Sequence, residues 1–459
     1  MTGHLTKLTR SGNTVLEENF SGLAKGTRLR PTRSDSYDFA SCMFFSHLGY
    51  ENEQISPGER RLRPISESEV RKELLSAVRS HEGDTGLSAN PPRPRTMKHV
   101  NVPESVTADY LGWAETALVD YGPLEDIAKS DLDRTEKILS VLADPLLGNT
   151  QNRENVDSVV IHQRLAMASD GRLPLYLALP AFPFKDQGAF NTDCSADQPD
   201  FGEVALLVRM HCLALALSRL YAEEVQWIIL SDGPLYAPFF GLDSGVAQRY
   251  LQRIRSFRDN LNLGSTINVL SLLDLVAKTQ YLYGGKSGVE AFAKYSADIR
   301  HALESVSRKD REVDDALQVL AGDMMWNLDT RRYEQSMTHQ ELWRIIRRKG
   351  RSPLRTEVSE QSRETTLRYV SCNIALRLAR VIECQFPLAI RATSHAKRGQ
   401  VAIPRIGHVA PWNGVAVRRR RGRGWADLGS VRIHRAWQQG ADVSVHLEGC
   451  GDAFYYEVP

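Results

Sequence analysis

Residues 175–185 read LYLALPAFPFK, a short and almost wholly apolar run that ends at two prolines and delivers a lysine, Lys185. A run apolar at nearly every position cannot keep one face in water, so it is predicted to be a strand buried on both faces of a mostly parallel sheet. The layout repeats at VQWIILSDG, residues 225–233, which leads straight into Ser231, Asp232 and Gly233. Between the two lie the loop PDFGE (residues 199–203) and VALLVRMHCLALALSRLY, long enough to be the crossover helix of a βαβ unit. Together they predict an α/β fold, a Rossmann-like, mostly parallel sheet with flanking helices. Ligands of such sheets sit beyond the carboxyl ends of the strands, so Lys185, Asp200, Glu203 and Asp232 are expected on one rim.

The pattern continues with a helix over GVAQRYLQRIRSFRDNL and a strand or strand-to-helix run over INVLSLLDLV, residues 267–276. Residues 281–385 are helical in spacing, and residues 386–458 turn to short strands: LAIRATS, QVAIPRI, GVAVRRR, VRIHRAW and DVSVHLE. Residues 1–105 are rich in Arg, Ser, Glu, Gly and Pro, with one helix expected over SESEVRKELLSAVRSHE and a linker at NPPRPR. The expected organisation is a partly ordered extension over 1–105 and a catalytic domain over 106–458. Within that domain, 130–280 is Rossmann-like, 281–385 helical and 386–458 rich in strands.

With 459 residues and 42% apolar content the chain can bury a large core, and a formal charge of +2 provides no global field for nucleic acid or membranes. The run RRRRGRGW, residues 418–425, reads as a solvated basic hairpin tip, and nucleic acid is not the expected partner. Six cysteines stand without a CxxC or a zinc-like Cys/His spacing, as suits a reducing compartment. MTGHLTKLTRSGN lacks an apolar signal core, and no stretch approaches about 18 consecutive apolar residues. A cytoplasmic location without a membrane partner is expected; oligomeric state is not legible.

LPAFPFK, PDFGE, LSDG, FPLAIRATSH and APWNGVAV, taken in this order and spacing, resemble the isocyanide (isonitrile) synthase and dityrosine-biosynthesis family. The resemblance covers roughly residues 130–458. It falls on Lys185, Asp200, Gly202, Glu203, Ser231, Asp232, Gly233, Asp243, Tyr250, Arg391, His395, Pro411 and Trp412. The chain departs from the family pattern at Pro234, where the family has Arg after SDG, at Ala392 and Thr393, at Ala396, and at Ala410 and Asn413 of the TPWH block.

The resemblance implies an enzyme that joins the α-amine of an aromatic amino acid, tyrosine or tryptophan, to the C2 ketone of ribulose 5-phosphate. Later carbon–carbon cleavage and loss of phosphate leave C2 as the isonitrile carbon. Ribulose 5-phosphate is then a co-substrate, and no cofactor or metal is implied. Such chemistry needs cations for phosphate and carboxylate and groups that move protons. Lys185, Glu203, Asp232 and His395 are the candidate catalytic residues, and Arg391, Asp200, Ser231, Tyr250 and Trp412 the candidate substrate-binding ones. The departures keep two other functions open: N-formylation of the dityrosine type, and a catalytically weak homologue that binds a ligand.

Each residue also has a plainer reading. Lys185 is then a solvated strand-end lysine, and Asp232 a turn residue accepting backbone N–H bonds. Asp200 and Glu203 have the spacing of a capping box. Arg391 is then paired with a helix carboxylate, and His395 lies on a surface loop. Tyr250, seven residues after Asp243 on one helix face, packs or orients substrate. Trp412, Trp425 and Trp437 read as packing residues, and His162, His211 and His446 as ordinary ones.

Overall fold

The computed structural model describes residues 6–8, 14–16, 28–29, 59–79, 97–120, 122–155, 159–185, 195–324, 353–394 and 399–459. Strands β1 (Thr6–Leu8), β2 (Thr14–Leu16) and β3 (Arg28–Leu29) form a small antiparallel sheet. Two later segments of the stretch read as an extension are built into the rest of the molecule. β4 (Glu59–Arg61) pairs parallel with Gln280–Tyr283, and β5 (Lys98–Val102) pairs parallel with Val443–Leu447. The predicted helix forms over Glu67–Arg79 and buries Val70 and Leu74, one turn apart, in the core.

The central sheet is parallel throughout. It contains β6 (Leu175–Ala181), β7 (Val225–Ser231) and β8 (Ile267–Ser271). After β9 (Gln280–Tyr283) and β10 (Lys286–Ser287) the chain turns helical and re-enters the sheet as β11 (Ile390–Thr393) and β12 (Val401–Ala402). The order is β12-β11-β6-β7-β8, with Leu175 opposite Val225 and Ala181 opposite Ser231. The expected βαβ unit is therefore present, its crossover helix running from Phe201 to Ser218.

Both faces of the sheet are covered, as the unbroken apolar runs require. Leu177, Leu179, Trp227 and Ile229 pack into a core shared with the helices Phe201–Ser218 and Ser244–Asn260. Ala178, Ile228 and Leu230 point the other way, into a core shared with the helices Gly288–Ser307, Arg311–Met324 and Pro353–Leu378. The helix Phe201–Ser218 is long and apolar enough to cross a membrane, but 83% of it is buried in the core.

The carboxyl segment forms a second five-stranded sheet. Its strands are β13 (Val415–Arg419), β14 (Gly429–Val431), β15 (Val443–Leu447) and β16 (Tyr455–Val458), in the order β14-β13-β16-β15-β5. VRIHRAW does not make the expected strand: β14 stops at Val431 and Ile433–Gln438 is a helix that buries Ile433 and Ala436 against β13. The basic run is a hairpin connection whose arginines are partly committed. Arg418 bonds Glu457 and lies over the Trp425 ring at 4.8 Å, and Arg420 bonds Asp442.

Candidate active site

The parallel register brings the ends of β6, β7 and β8 level, with Ser231 opposite both Ala181 and Ser271. The chain leaves β6 through Phe182, whose φ of +59° is left-handed backbone rarely held by a bulky residue. Two contacts hold it. Ser231 Oγ donates to the Phe182 carbonyl at 2.9 Å, and the Trp412 ring packs 5.1 Å from the Phe182 ring. Both residues, read as substrate ligands, thus shape the turn beside the site. Gly233 completes it by close approach: a Cβ there would stand 1.6 Å from the Pro183 carbonyl oxygen. Gly233→Ala is expected to cost about 1–3 kcal/mol by overpacking, read as a lower urea midpoint with an unchanged m-value.

Past this turn Lys185 is fully buried, not the solvated strand-end lysine of the plainer reading. Its ammonium donates to both oxygens of Glu203 at 2.9 Å and to the Pro411 carbonyl at 2.8 Å, and pairs with Asp200 Oδ2 at 2.9 Å. An ammonium has three hydrogens to give, and these four oxygens share them. Asp200 and Glu203 form the capping box legible in PDFGE: Asp200 Oδ1 accepts from the Gly202 N–H, and Glu203 Oε2 from the Asp200 N–H. Asp200 Oδ2 also accepts from the Ala416 N–H, and Tyr250 donates its hydroxyl to Glu203 Oε1 at 2.9 Å. Burial drives the Glu203 carboxyl upward, Lys185 opposes this and Asp200 adds to it. One cation between two carboxylates, all buried, ties the turn after β6, the crossover helix and the second sheet into one joint. Lys185, Asp200, Glu203 and Tyr250 thereby form one buried, hydrogen-bonded cluster.

Asp232, expected beside Glu203, stands in a second group. It precedes the short helix Gly233–Tyr236 but makes no side-chain cap to it, and its Oδ1 is buried without a hydrogen-bond partner. Burial pushes its carboxyl up to about 7, opposed only by a backbone N–H. Burial raises the hydroxyls of Tyr236 and Tyr369 and the Cys372 thiol, and the Asp232 charge adds to each, which places these groups around it. The Tyr236 and Tyr369 rings lie 4.8 Å apart, and Tyr236 donates to Asn373 Oδ1 at 2.9 Å. Tyr250 feels Glu203, Asp200 and Asp232 alike, so the two groups adjoin.

Arg391 faces the same side. It sits opposite Ala178 in β11, not beyond the strand end, and its charge opposes in small part the upward push that burial gives the Tyr236 hydroxyl. Glu383, on the helix Val381–Gln385, accepts from Arg391 Nη1 at 3.3 Å, so the helix-carboxylate reading holds for one long bond. Arg391 Nε and Glu383 Oε2 remain buried and unpartnered. The sequence reading missed Arg164, which donates to the Ala389 carbonyl at 2.7 Å. Burial pulls Arg164 down to about 10; Glu383 opposes this, while Arg391 and Arg380 add to it. Three guanidinium groups thus lie near the Glu383 carboxylate, and guanidinium forks are suited to a phosphate or carboxylate. His395 lies outside the described residues. His211 bonds Thr266 and Glu115 away from this region.

A family model described as "Pyoverdine/dityrosine biosynthesis protein" matches residues 167–430. The chain belongs to this family. The matched span contains β6, β7, β8 and β11 with Lys185, Asp200, Glu203, Asp232 and Arg391; Arg164 stands just ahead of it. Among solved structures, the chain is similar to the PvcA protein of Pseudomonas aeruginosa, at 17% identity and a TM-score of 0.49, over 71% of this chain and 100% of that one. No curated protein sequence matches it. Family membership places the chain among biosynthetic enzymes.

Proposed function

We propose that this member of the family is an isonitrile synthase, taking the α-amine of an aromatic amino acid and the C2 carbon of ribulose 5-phosphate. The observation that carries the reading is Asp232: a carboxyl at the carboxyl end of a central strand, partly buried, with an unpartnered oxygen and a protonation range near neutrality. Condensation of an amine with a ketone forms a C–N bond and then expels the ketone oxygen as water, which needs a group that both gives and takes protons at ambient pH. Asp232 suits that task. Glu203 is withdrawn from it by Lys185 and Tyr250. The cluster of Arg391, Arg164 and Arg380 is suited to the sugar phosphate or the amino-acid carboxylate.

The test is incubation of the protein with C2-labelled ribulose 5-phosphate and a panel of amino acids, read by mass. A carboxylate-retaining isonitrile carrying the label supports the proposal. A labelled formamide would instead assign the N-formylating chemistry, and binding without turnover a ligand-binding homologue. Arg391→Lys loses the planar fork and is expected to weaken ribulose 5-phosphate binding by about 1.5–3 kcal/mol in calorimetry. Unchanged affinity would remove Arg391 from the anion site.

A further inference from the structure

Away from this site, three donor atoms converge on the second sheet. His99 on β5 and Ser444 on β15 are direct cross-strand partners, and His446 follows Ser444 on the same face. His99 Nδ1 lies 3.2 Å from His446 Nε2, Ser444 Oγ lies 2.8 Å from His99 Nδ1, and His446 Nε2 lies 3.0 Å from Ser444 Oγ. The two imidazoles are tilted by 54° with centroids 5.3 Å apart, so they meet by their nitrogens and do not stack. Ser444 is buried, His446 half-buried and His99 exposed, leaving the triangle with a wall behind it and solvent in front.

We propose that His99, His446 and Ser444 form a site for a divalent transition-metal ion. Two nitrogens each about 2.0–2.1 Å from a tetrahedral zinc ion stand about 3.3 Å apart, close to the separation the sheet imposes here. Imidazole suits zinc, copper and nickel, whereas oxygen-preferring magnesium and calcium have too few partners in this triangle. No group of three His, Cys, Asp or Glu side chains comes together among the described residues. The third donor is a hydroxyl, and solvent completes the shell, so the site is of modest affinity. Its consequence is mechanical. β5 is an edge strand, and a metal bridging His99 to His446, 347 residues apart, staples it to the carboxyl-terminal sheet.

The experiment uses the untagged full-length protein, stripped with chelator and titrated with the chloride of Zn2+, Cu2+, Ni2+, Mg2+ or Ca2+, with binding read by calorimetry and stability by thermal unfolding. Expected are one equivalent bound, Cu2+ more tightly than Ni2+ or Zn2+, a higher melting temperature with these three, and no effect of Mg2+ or Ca2+. His99→Ala and His446→Ala should each weaken Zn2+ binding by about tenfold or more while leaving turnover unchanged. Because His99 is exposed, the His99→Ala protein is expected to fold. Absence of binding at millimolar metal, or binding that both substitutions leave intact, would overturn the proposal and reduce the contact to a hydrogen bond between two rings.

Discussion

Lys185→Met is expected to destabilise the protein by about 3–5 kcal/mol in urea unfolding, because it leaves Asp200 and Glu203 buried without their cation. This is a stability effect and precedes any effect on substrate. Should the variant fail to fold, Lys185→Met combined with Glu203→Gln is expected to recover part of the loss, since the second change removes one orphaned charge. Recovery of that kind separates a joint from a ligand: a lysine whose task is to bind phosphate gains nothing from neutralising Glu203. An unchanged unfolding free energy with weakened sugar-phosphate binding would return Lys185 to the substrate side.

Asp232→Asn is expected to lower turnover by about two orders of magnitude or more while the protein becomes more stable near neutral pH. The sign follows from the raised carboxyl. Below about pH 3.8, the ordinary value, Asp232 is neutral both folded and unfolded and costs nothing. Between there and its folded value of about 7, the unfolded chain ionises and the folded one does not, so wild-type stability falls by about 1.4 kcal/mol per pH unit from this residue. Above pH 7 the penalty is constant, on the order of a few kcal/mol. Asparagine removes it. Melting curves of the two proteins should therefore meet near pH 4 and separate by pH 7. An Asp232→Asn protein that melts lower at neutral pH would make Asp232 a turn-stabilising residue, and one with full turnover would remove it from the reaction.

Features set by near neighbours in the chain were legible without coordinates. The apolar continuity of residues 175–181 and 225–231 demanded two covered faces, and both cores are found where that required them. Asp200 and Glu203, three residues apart, have the spacing of a capping box and form one. The exception among local patterns is VRIHRAW, where alternation of apolar residues suits either a strand or a single amphipathic turn. Burial of Ile433 and Ala436 on one side decided for the helix.

By itself, then, the sequence determined the parallel sheet, its crossover helix, the strand ends at which Lys185 and Asp232 leave the sheet, and the motifs that mark the family. Spacing along a helix or strand encodes these, through bonds between residues a few positions apart. Whether a charge at a strand end meets solvent, substrate or another charge was settled only in three dimensions. Lys185 meets the Pro411 carbonyl 226 residues away, and Arg164 reaches the Ala389 carbonyl across 225. His99 finds His446 only because β5 pairs with β15. No local pattern announces such contacts, and in a low-dielectric interior it is the partner, not the side chain alone, that decides whether a charged group is a structural joint or a reactive one.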